Sequence, residues 1–373
     1  MHNLYQLKYF LKIAISCFLV ASTLSACSSP QATSLSSSTV ENKAETEPSL
    51  ELYPVEVDDQ WGYIDATGEI VIKPQFYQVR SFSGGLAPFN QELEGKWGYI
   101  DTTGKIAITP QFDSVRNFSE GMAGIIIDDK LGYINKVGGL VVPPQFDPVY
   151  SGNFSDGLAA VKLEQGDMGY INKAGEMVIP ATIFIAEDFQ EGLALIDGRE
   201  GAPTWIGFID KRGKPAFRFS RKITSIPSGF DEGLAPIVTD QGRGYMDKRG
   251  RIVIEPQFYV VRKFSEGLAQ VKTGSVPASM AQYLTEGKWG YIDKIGEMVI
   301  KAEFAETQPF SEGLAGVSKD GNLWGYIDKI GEIAIPMKFN YGDPFQGELA
   351  RACLRVSNCG YINKKGEFVW RDP

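Results

Sequence analysis

Short segments of aromatic and β-branched residues recur from Leu52 to the C-terminus, and each is bounded by Gly, Pro or Asx residues. The first, Trp61-Gly-Tyr-Ile-Asp65, places its large side chains on alternate faces, as a β-strand does. Gly68 follows the Asp by three positions, which is typical of a tight turn. Ile70–Ile72 is then the return strand of a hairpin, and a Leu-Ala segment precedes each Trp-Gly segment. The pattern therefore predicts a three-stranded antiparallel meander.

This unit is repeated along the chain, so the fold is predicted to be all-β. The glycines of the Trp-Gly segments are Gly62, Gly98, Gly132, Gly169, Gly207, Gly244, Gly290, Gly325 and Gly360. Because both faces of each small sheet are apolar, about nine such units should stack on one another. We favour an open, curved, solenoid-like stack, since propeller blades usually have four strands, with a propeller-like ring as the alternative. The glycine after Trp is expected to let an aromatic ring of the next unit lie against the backbone.

The repeats resemble those of the bacterial WG (or KWG) repeat family. The resemblance covers about residues 52–373 and rests on two recurring segments, [KRL]-W-G-[YF]-[IM]-[DN]-x-x-G and F-x-E-G-L-A. Trp is replaced at five copies, by Leu131, Met168, Ile206, Arg243 and Cys359. The resemblance implies a repeat fold without implying a biochemical activity, because the family is known mostly as a repeat.

The N-terminus carries the features of an export signal. Lys8 and Lys12 precede an apolar stretch, Ile13–Leu24, which is too short for a stable transmembrane span. The stretch leads into Leu24-Ser25-Ala26-Cys27, which resembles a lipobox, in which the Cys is lipidated. We predict a signal peptide over 1–26, a lipidated Cys27 with a flexible Ser/Thr/Glu-rich tether over 27–51, and the repeat domain over 52–373. The protein would then be extracytoplasmic and lipid-anchored to a bacterial membrane, and Ser28 fits the outer membrane if the organism is Gram-negative.

Composition excludes several classes of activity. The 37 Lys and Arg residues against 46 Asp and Glu give a net charge of −9, which argues against nucleic-acid binding. The single histidine, His2, lies in the predicted signal, so His-based triads and His-ligated zinc are excluded from the mature chain. No catalytic, cofactor-binding or metal-binding residue is predicted, and no cofactor. The Asp or Asn that ends each Trp-Gly-Tyr-Ile-Asx segment is expected to form a turn. An acidic column before the loop glycines is expected to be a solvated loop surface; it consists of Glu120, Asp156, Glu191, Glu232, Glu266 and Glu312.

Two classes of function remain compatible with these features. The favoured one is a non-enzymatic binding or scaffolding module for an envelope protein or glycan. The alternative is an envelope glycan hydrolase that uses carboxylates alone. A cleft that holds two carboxylates from different loop types would favour the hydrolase, and recurring grooves without such a pair would favour the binding module.

Two local features give candidate site residues. Cys353 and Cys359 lie six positions apart in the last hairpin, and export makes a disulfide between them the expected state. The hairpin before Gly290 is the longest of its kind and carries Met280, Tyr283 and Leu284. Exposed apolar residues on a long loop suggest a contact site, so these three are the candidate partner-binding residues.

Overall fold

The computed structural model describes residues 51–164, 166–197, 206–217, 223–226, 228–274, 287–355 and 358–373. Cys27, Met280, Tyr283 and Leu284 lie outside these ranges. Every regular element in the described ranges is a β-strand, and the strands form nine antiparallel sheets, called blades 1 to 9 in chain order. Within these ranges, no helix is long and apolar enough to cross a membrane.

The strands of the first five blades have these bounds. Blade 1 contains β1 (Tyr53–Val57), β2 (Gln60–Ile64) and β3 (Ile70–Phe76). Blade 2 contains β4 (Gln78–Val79), β5 (Leu86–Asn90), β6 (Trp97–Asp101) and β7 (Ile106–Phe112). Blade 3 contains β8 (Ser114–Val115), β9 (Met122–Ile127), β10 (Lys130–Asn135) and β11 (Leu140–Phe146). Blade 4 contains β12 (Leu158–Lys162), β13 (Met168–Asn172) and β14 (Met177–Ile183). Blade 5 contains β15 (Ile185–Ala186), β16 (Leu193–Asp197) and β17 (Ile206–Asp210).

The remaining four blades have four strands each. Blade 6 contains β18 (Ile223–Ser225), β19 (Leu234–Thr239), β20 (Gly242–Asp247) and β21 (Ile252–Phe258). Blade 7 contains β22 (Val260–Ser265), β23 (Leu268–Thr273), β24 (Lys288–Ile292) and β25 (Met298–Phe304). Blade 8 contains β26 (Glu306–Thr307), β27 (Ala315–Ser318), β28 (Trp324–Ile327) and β29 (Ile333–Phe339). Blade 9 contains β30 (Tyr341–Gly342), β31 (Ala350–Arg355), β32 (Asn358–Ile362) and β33 (Phe368–Arg371).

A short additional strand corrects the three-stranded unit that the sequence predicts. In six of the nine sheets of the described chain, the sheet has four strands, because the segment after Gln-Phe pairs with the Leu-Ala strand. In blade 2, Gln78 pairs with Asn90 and Val79 with Phe89. Ser83 and Leu86 then pair across a two-residue turn, so the residues before the turn must run beside those after it. A pair of residues is too short a strand to be recognised from its own sequence.

The nine blades close into a ring, which was the alternative expectation. Nine apolar clusters are found in the described residues, and each is shared by two consecutive blades. The ninth cluster joins blade 1, through Tyr53, Val55 and Ile64, to blade 9, through Leu349 and Tyr361. An open stack would leave these residues of its two end sheets exposed to water, whereas the ring buries them. The favoured open arrangement is therefore wrong, and the fold is a nine-bladed propeller-like ring. We call the contact between blades 9 and 1 the seam.

One aromatic pair recurs between neighbouring blades. The Tyr of the Trp-Gly-Tyr segment packs on the Phe of the next blade, as Tyr99 does on Phe118 with ring centroids 4.9 Å apart. The Tyr99 hydroxyl also donates a 2.7 Å hydrogen bond to the carbonyl of Arg116 in that blade. Equivalent hydroxyl-to-carbonyl bonds come from Tyr63, Tyr133, Tyr170, Tyr245, Tyr291 and Tyr326. The Tyr of the repeat thus joins one blade to the next through both ring packing and a partly buried hydrogen bond.

The glycine after Trp is required for a different reason from the one expected. In blade 8, a Cβ on Gly325 would lie 2.5 Å from the Ile335 carbonyl oxygen and 2.7 Å from the Met337 nitrogen. Both atoms belong to the return strand of the same blade, which bulges across the glycine between its pairings at Trp324 and Tyr326. The glycine therefore makes room for backbone of its own sheet, and the expectation of an aromatic ring from the next unit is wrong.

Candidate functional site

The acidic column lies in tight turns that have an unusual backbone conformation. In blade 3, Ser119 pairs with Met122 across Glu120 and Gly121, whose φ angles are +50° and +82°. Positive φ at both central residues defines a type I′ turn, in which Asn, Asp or Gly is preferred. A glutamate in this conformation costs about 1–2 kcal/mol, so an interaction elsewhere should offset the cost.

That interaction is a bond to the next blade. The Glu120 carboxylate accepts a 2.9 Å hydrogen bond from the Gly157 N–H of blade 4 and lies 3.2 Å from the ammonium group of Lys173 in the same blade. Lys173 Nζ also donates to the Glu120 carbonyl oxygen at 2.8 Å. We call this arrangement the interblade carboxylate contact. The acidic column is a solvent-exposed loop surface, as expected, and its carboxylates also join neighbouring blades.

The bond from the acid to the next blade recurs with the acids of blades 4 to 7. The acid and the following-blade Gly N–H that it accepts from are Asp156 with Gly192, Glu191 with Gly233, Glu232 with Gly267, and Glu266 with Gly313. Lysines complete three of these contacts, namely Lys248 on Glu191, Lys294 on Glu232 and Lys329 on Glu266, at 2.8–3.1 Å. Burial raises the pKa of Glu232, but bonds from Lys294 and the Gly267 N–H outweigh it, so the net pKa is lowered. The Glu232 carboxylate is thus held in its charged form.

The seam departs from this pattern at three positions. Blade 9 has Gly347 in the position of the acid, blade 1 has Glu51 in the position of the glycine, and Ala66 takes the position of the lysine. Glu51 lies directly against Gly347, where a Cβ would overlap its carboxylate. The Glu51 carboxylate therefore occupies the space that the missing acidic side chain would fill, and it comes from the opposite side of the interface.

Tyr53 and Tyr361 supply the polar bonds of the seam. The Tyr53 hydroxyl donates to Glu51 Oε2 at 3.0 Å, lies 3.0 Å from the Gln346 carbonyl, and accepts from the Glu348 N–H at 3.1 Å. Tyr361 donates a 3.0 Å hydrogen bond to the Pro54 carbonyl, and the two tyrosine rings lie 5.5 Å apart. Burial raises the pKa of both hydroxyls to about 12, so both stay protonated as donors at neutral pH.

A cavity of about 810 Å³ opens at the seam, and we call it the seam cavity. Residues of blades 9, 1 and 2 line it, among them Glu51, Tyr53, Phe82, Thr102, Asp343 and Arg351. Its volume is in the range of small-molecule and peptide sites. Arg351 forms an ion pair with Asp372, so the unpaired charge of the lining is that of the carboxylates Glu51 and Asp343. The cavity therefore has net negative charge and a mixed polar and apolar wall.

The residues of the seam were not predicted as site residues from the sequence. Three of them depart from the repeat, because Tyr53 replaces an alanine, Glu51 a glycine and Ala66 a lysine of other copies. An alignment of the first and last copies with the other repeats would have shown these departures. It could not have shown that they meet, because that requires knowing that the ring closes.

The remaining predicted site residues are placed as follows. Cys353 and Cys359 are directly opposite each other in β31 and β32, and a disulfide joins them. The Asx residues form turns; for example, Asp65 Oδ1 accepts from the Thr67 and Glu69 N–H groups at 2.8 and 3.1 Å. Among the described residues, no group of three or more His, Cys, Asp or Glu side chains is arranged to hold a metal ion. Cys27, Met280, Tyr283 and Leu284 stay untested, since they lie outside the described ranges.

The fold and the repeat together define a class of protein, a β-propeller-like array of Trp-Gly units. The family model described as "WG containing repeat" matches seven stretches, over residues 61–96, 97–130, 132–165, 168–196, 244–275, 289–322 and 324–355. These stretches make up more than half of the chain, so the chain belongs to the WG-containing repeat family. The copies centred on Gly207 and Gly360 are not matched.

Comparison with known structures supports the fold alone. The chain is similar to a structure described as "Crystal structure of the eukaryotic initiation factor", at 13% identity and a TM-score of 0.60, over 86% of this chain and 96% of that one. It is less similar to the computationally designed Ika8 protein, at 11% identity and a TM-score of 0.43, over 85% of this chain and 98% of that one. No curated protein sequence matches the chain.

Proposed function

We propose that this protein is a non-enzymatic binding or scaffolding module of the bacterial cell envelope, anchored through a lipid on Cys27. The observation that carries the proposal is the seam cavity. The interblade contacts of blades 3 to 8 repeat one arrangement, but the seam replaces three of its residues and leaves a cavity of about 810 Å³ in their place. Blade 2 also lacks the acid and the lysine of the repeat, with Gly84 and Thr102 in their positions, and both of these residues line the same cavity. The departure supports a binding role for this part of the ring.

A carboxylate-based glycan hydrolase is the alternative function, because the cavity holds two carboxylates from different loops. Glu51 and Asp343 each accept a hydrogen bond from a tyrosine hydroxyl, Tyr53 and Tyr341 respectively. A glycoside hydrolase needs one of its two carboxyl groups to donate a proton to the leaving group. Both groups here act as acceptors, which favours the binding role. Release of reducing ends from purified envelope glycan by the wild type, and loss of that release in Glu51→Gln, would reverse this choice.

Lipidation of Cys27 tests the envelope half of the proposal. Mass spectrometry of the N-terminal peptide of the mature protein is expected to show a diacylglyceryl group on Cys27. The Cys27→Ser variant should then be recovered in the soluble fraction after cell breakage, because a lipid chain is the only anchor proposed. Cleavage at another position with an unmodified Cys27 would refute the anchoring.

Deletion of the long loop before Gly290 tests whether this loop binds the partner. Gly274 and Gly287 lie side by side at its base, since a Cβ on Gly274 would be 3.5 Å from the Gly287 Cα. Removal of residues 275–286 should therefore leave the β23–β24 hairpin intact and the thermal midpoint nearly unchanged. Affinity capture from the envelope fraction is expected to lose its partners with this deletion. The triple change Met280→Ser, Tyr283→Ser and Leu284→Ser keeps the loop length and should have the same effect; full capture by both variants would show that the loop is not the site.

A further inference from the structure

We propose that the seam cavity binds the ammonium group of a lysine side chain that a polypeptide partner presents. The inference rests on the proposed binding function and names the chemistry of the partner. The reason is internal to the molecule: the ring already binds lysine ammonium groups at several of its interfaces, and the seam keeps a carboxylate at that site without the lysine.

The repeated contact shows what an ammonium group needs in this fold. Lys173 Nζ lies 3.2 Å from the Glu120 carboxylate and donates to the Glu120 carbonyl at 2.8 Å. Lys248 repeats the geometry on Glu191, with 2.8 Å to the carboxylate and 3.0 Å to the carbonyl. The site is therefore one carboxylate together with one turn carbonyl, and the lysine comes from another blade. Charge-assisted bonds of this kind are stronger than neutral ones.

The seam retains the carboxylate of this site but not the turn carbonyl. The carboxylate of Glu51 fills the space of the acidic side chain that Gly347 lacks. In the turn of blade 9, φ is positive at Gly347 but not at Glu348, and the Glu348 N–H donates to Tyr53 of blade 1, so the Gly347 carbonyl points away from blade 1. The lysine position of blade 1 is Ala66, whose side chain ends at Cβ and packs beside the seam cluster. Blade 1 therefore supplies no ammonium group to pair with the Glu51 carboxylate.

The charge and shape of the cavity suit such an occupant. Neither Glu51 nor Asp343 has an ion-pair partner within the described residues, and Arg351 is neutralised by Asp372. A cation entering the cavity would balance this negative charge where water is partly excluded, which strengthens the attraction. Leu52, Phe82 and Leu349 offer apolar wall for the methylene stem of a lysine. The cavity is larger than one side chain, so residues flanking the lysine can enter with it.

The test measures binding of a defined peptide to the full-length protein in detergent. The probe is a fluorescein-labelled Gly-Lys-Gly peptide blocked at both ends, and the comparison is the same peptide with Nε-acetyl-lysine. Fluorescence anisotropy is expected to show binding that acetylation weakens by about tenfold or more, because acetylation removes the charge. Glu51→Gln should weaken binding of the lysine peptide by a similar factor. Equal affinity for the two peptides, or none for either, would overturn the inference.

A second variant places the lysine of the other repeats in blade 1 and tests the site more directly than Glu51→Gln does. Ala66→Lys should place an ammonium group intramolecularly at the seam, abolish peptide binding, and leave the thermal midpoint equal or raised. The matched control is Thr67→Lys, which adds the same charge one residue further along an exposed turn, where other copies carry Arg212, Arg249 and Lys365. The control should bind as the wild type does. Undiminished binding by Ala66→Lys would refute the site.

Two further outcomes separate this inference from the proposed function. Free cadaverine that binds as tightly as the peptide would assign the cavity to small amines and overturn the polypeptide partner. Envelope partners captured equally well by wild type and Ala66→Lys would overturn the seam as the partner site while leaving the binding module in place. Loss of capture in the loop deletion alone would have the same meaning.

Discussion

Replacing Gly325 by alanine is expected to destabilise the protein by about 3 kcal/mol or more, as forced movement of packed backbone does. The added Cβ would lie 2.5 Å from the Ile335 carbonyl oxygen and 2.7 Å from the Met337 nitrogen. Neither atom can move away without breaking the β28–β29 pairing, in which Trp324 pairs with Phe339 and Tyr326 with Ile335. The urea midpoint of purified protein measures the effect.

Gly313→Ala in the same blade is the matched control for this prediction. Gly313 has φ at +83° and no atom within 4 Å of its would-be Cβ, so alanine there meets only the backbone penalty of about 1–2 kcal/mol. The difference between the two variants isolates the close approach of the return strand. Equal destabilisation would show that the bulged strand can shift and that the Trp-Gly glycine is not required for it.

Replacing Tyr361 by alanine is expected to open the ring at the seam. The change removes a buried aromatic side chain, its packing on Tyr53 and its hydrogen bond to the Pro54 carbonyl. Large-to-small changes of this kind cost about 3–5 kcal/mol. Within the described residues, blades 9 and 1 are held together by such non-covalent interactions, so their removal should appear as local opening. Hydrogen exchange is expected to speed up in blades 1 and 9 while blades 4 to 6 stay protected.

Tyr245→Ala is the comparison at a chain-continuous interface. Tyr245 packs on Phe264 and donates to the Arg262 carbonyl, so the substitution removes ring packing and a hydrogen bond of the same kind. Blades 6 and 7 are joined directly by the short connection from β21 to β22, which limits how far they can separate. We expect a similar cost in stability with smaller opening of the two blades. Equal exchange at both interfaces would mean that the seam is not the weakest point of the ring.

Local features of the fold follow from the sequence because their causes lie within a few residues. The Trp-Gly-Tyr-Ile strands, the Asx-Gly turns and the return strands are found where the periodicity and turn chemistry predict them. The opposed cysteines, Cys353 and Cys359, could be placed because a hairpin register depends on its own turn. The short strand before each Leu-Ala strand escaped recognition, because its pairing depends on a two-residue turn that brings it alongside.

The candidate site depends on contacts that no local pattern contains. Glu120 joins blade 3 to blade 4, but the residues around it in the sequence do not indicate this contact. Its partners, Gly157 and Lys173, belong to the next blade. The residues that meet at the seam are even farther apart in the sequence, since Tyr361 and Pro54 are separated by 307 positions.

The sequence alone determined the repeat, its strands and its turns, since these depend on residue spacing and backbone preference. Only the tertiary structure decided that nine units close into a ring, because closure depends on whether the apolar faces of the first and last sheets meet. The same closure decided the location of the cavity that carboxylates of blades 1 and 9 line.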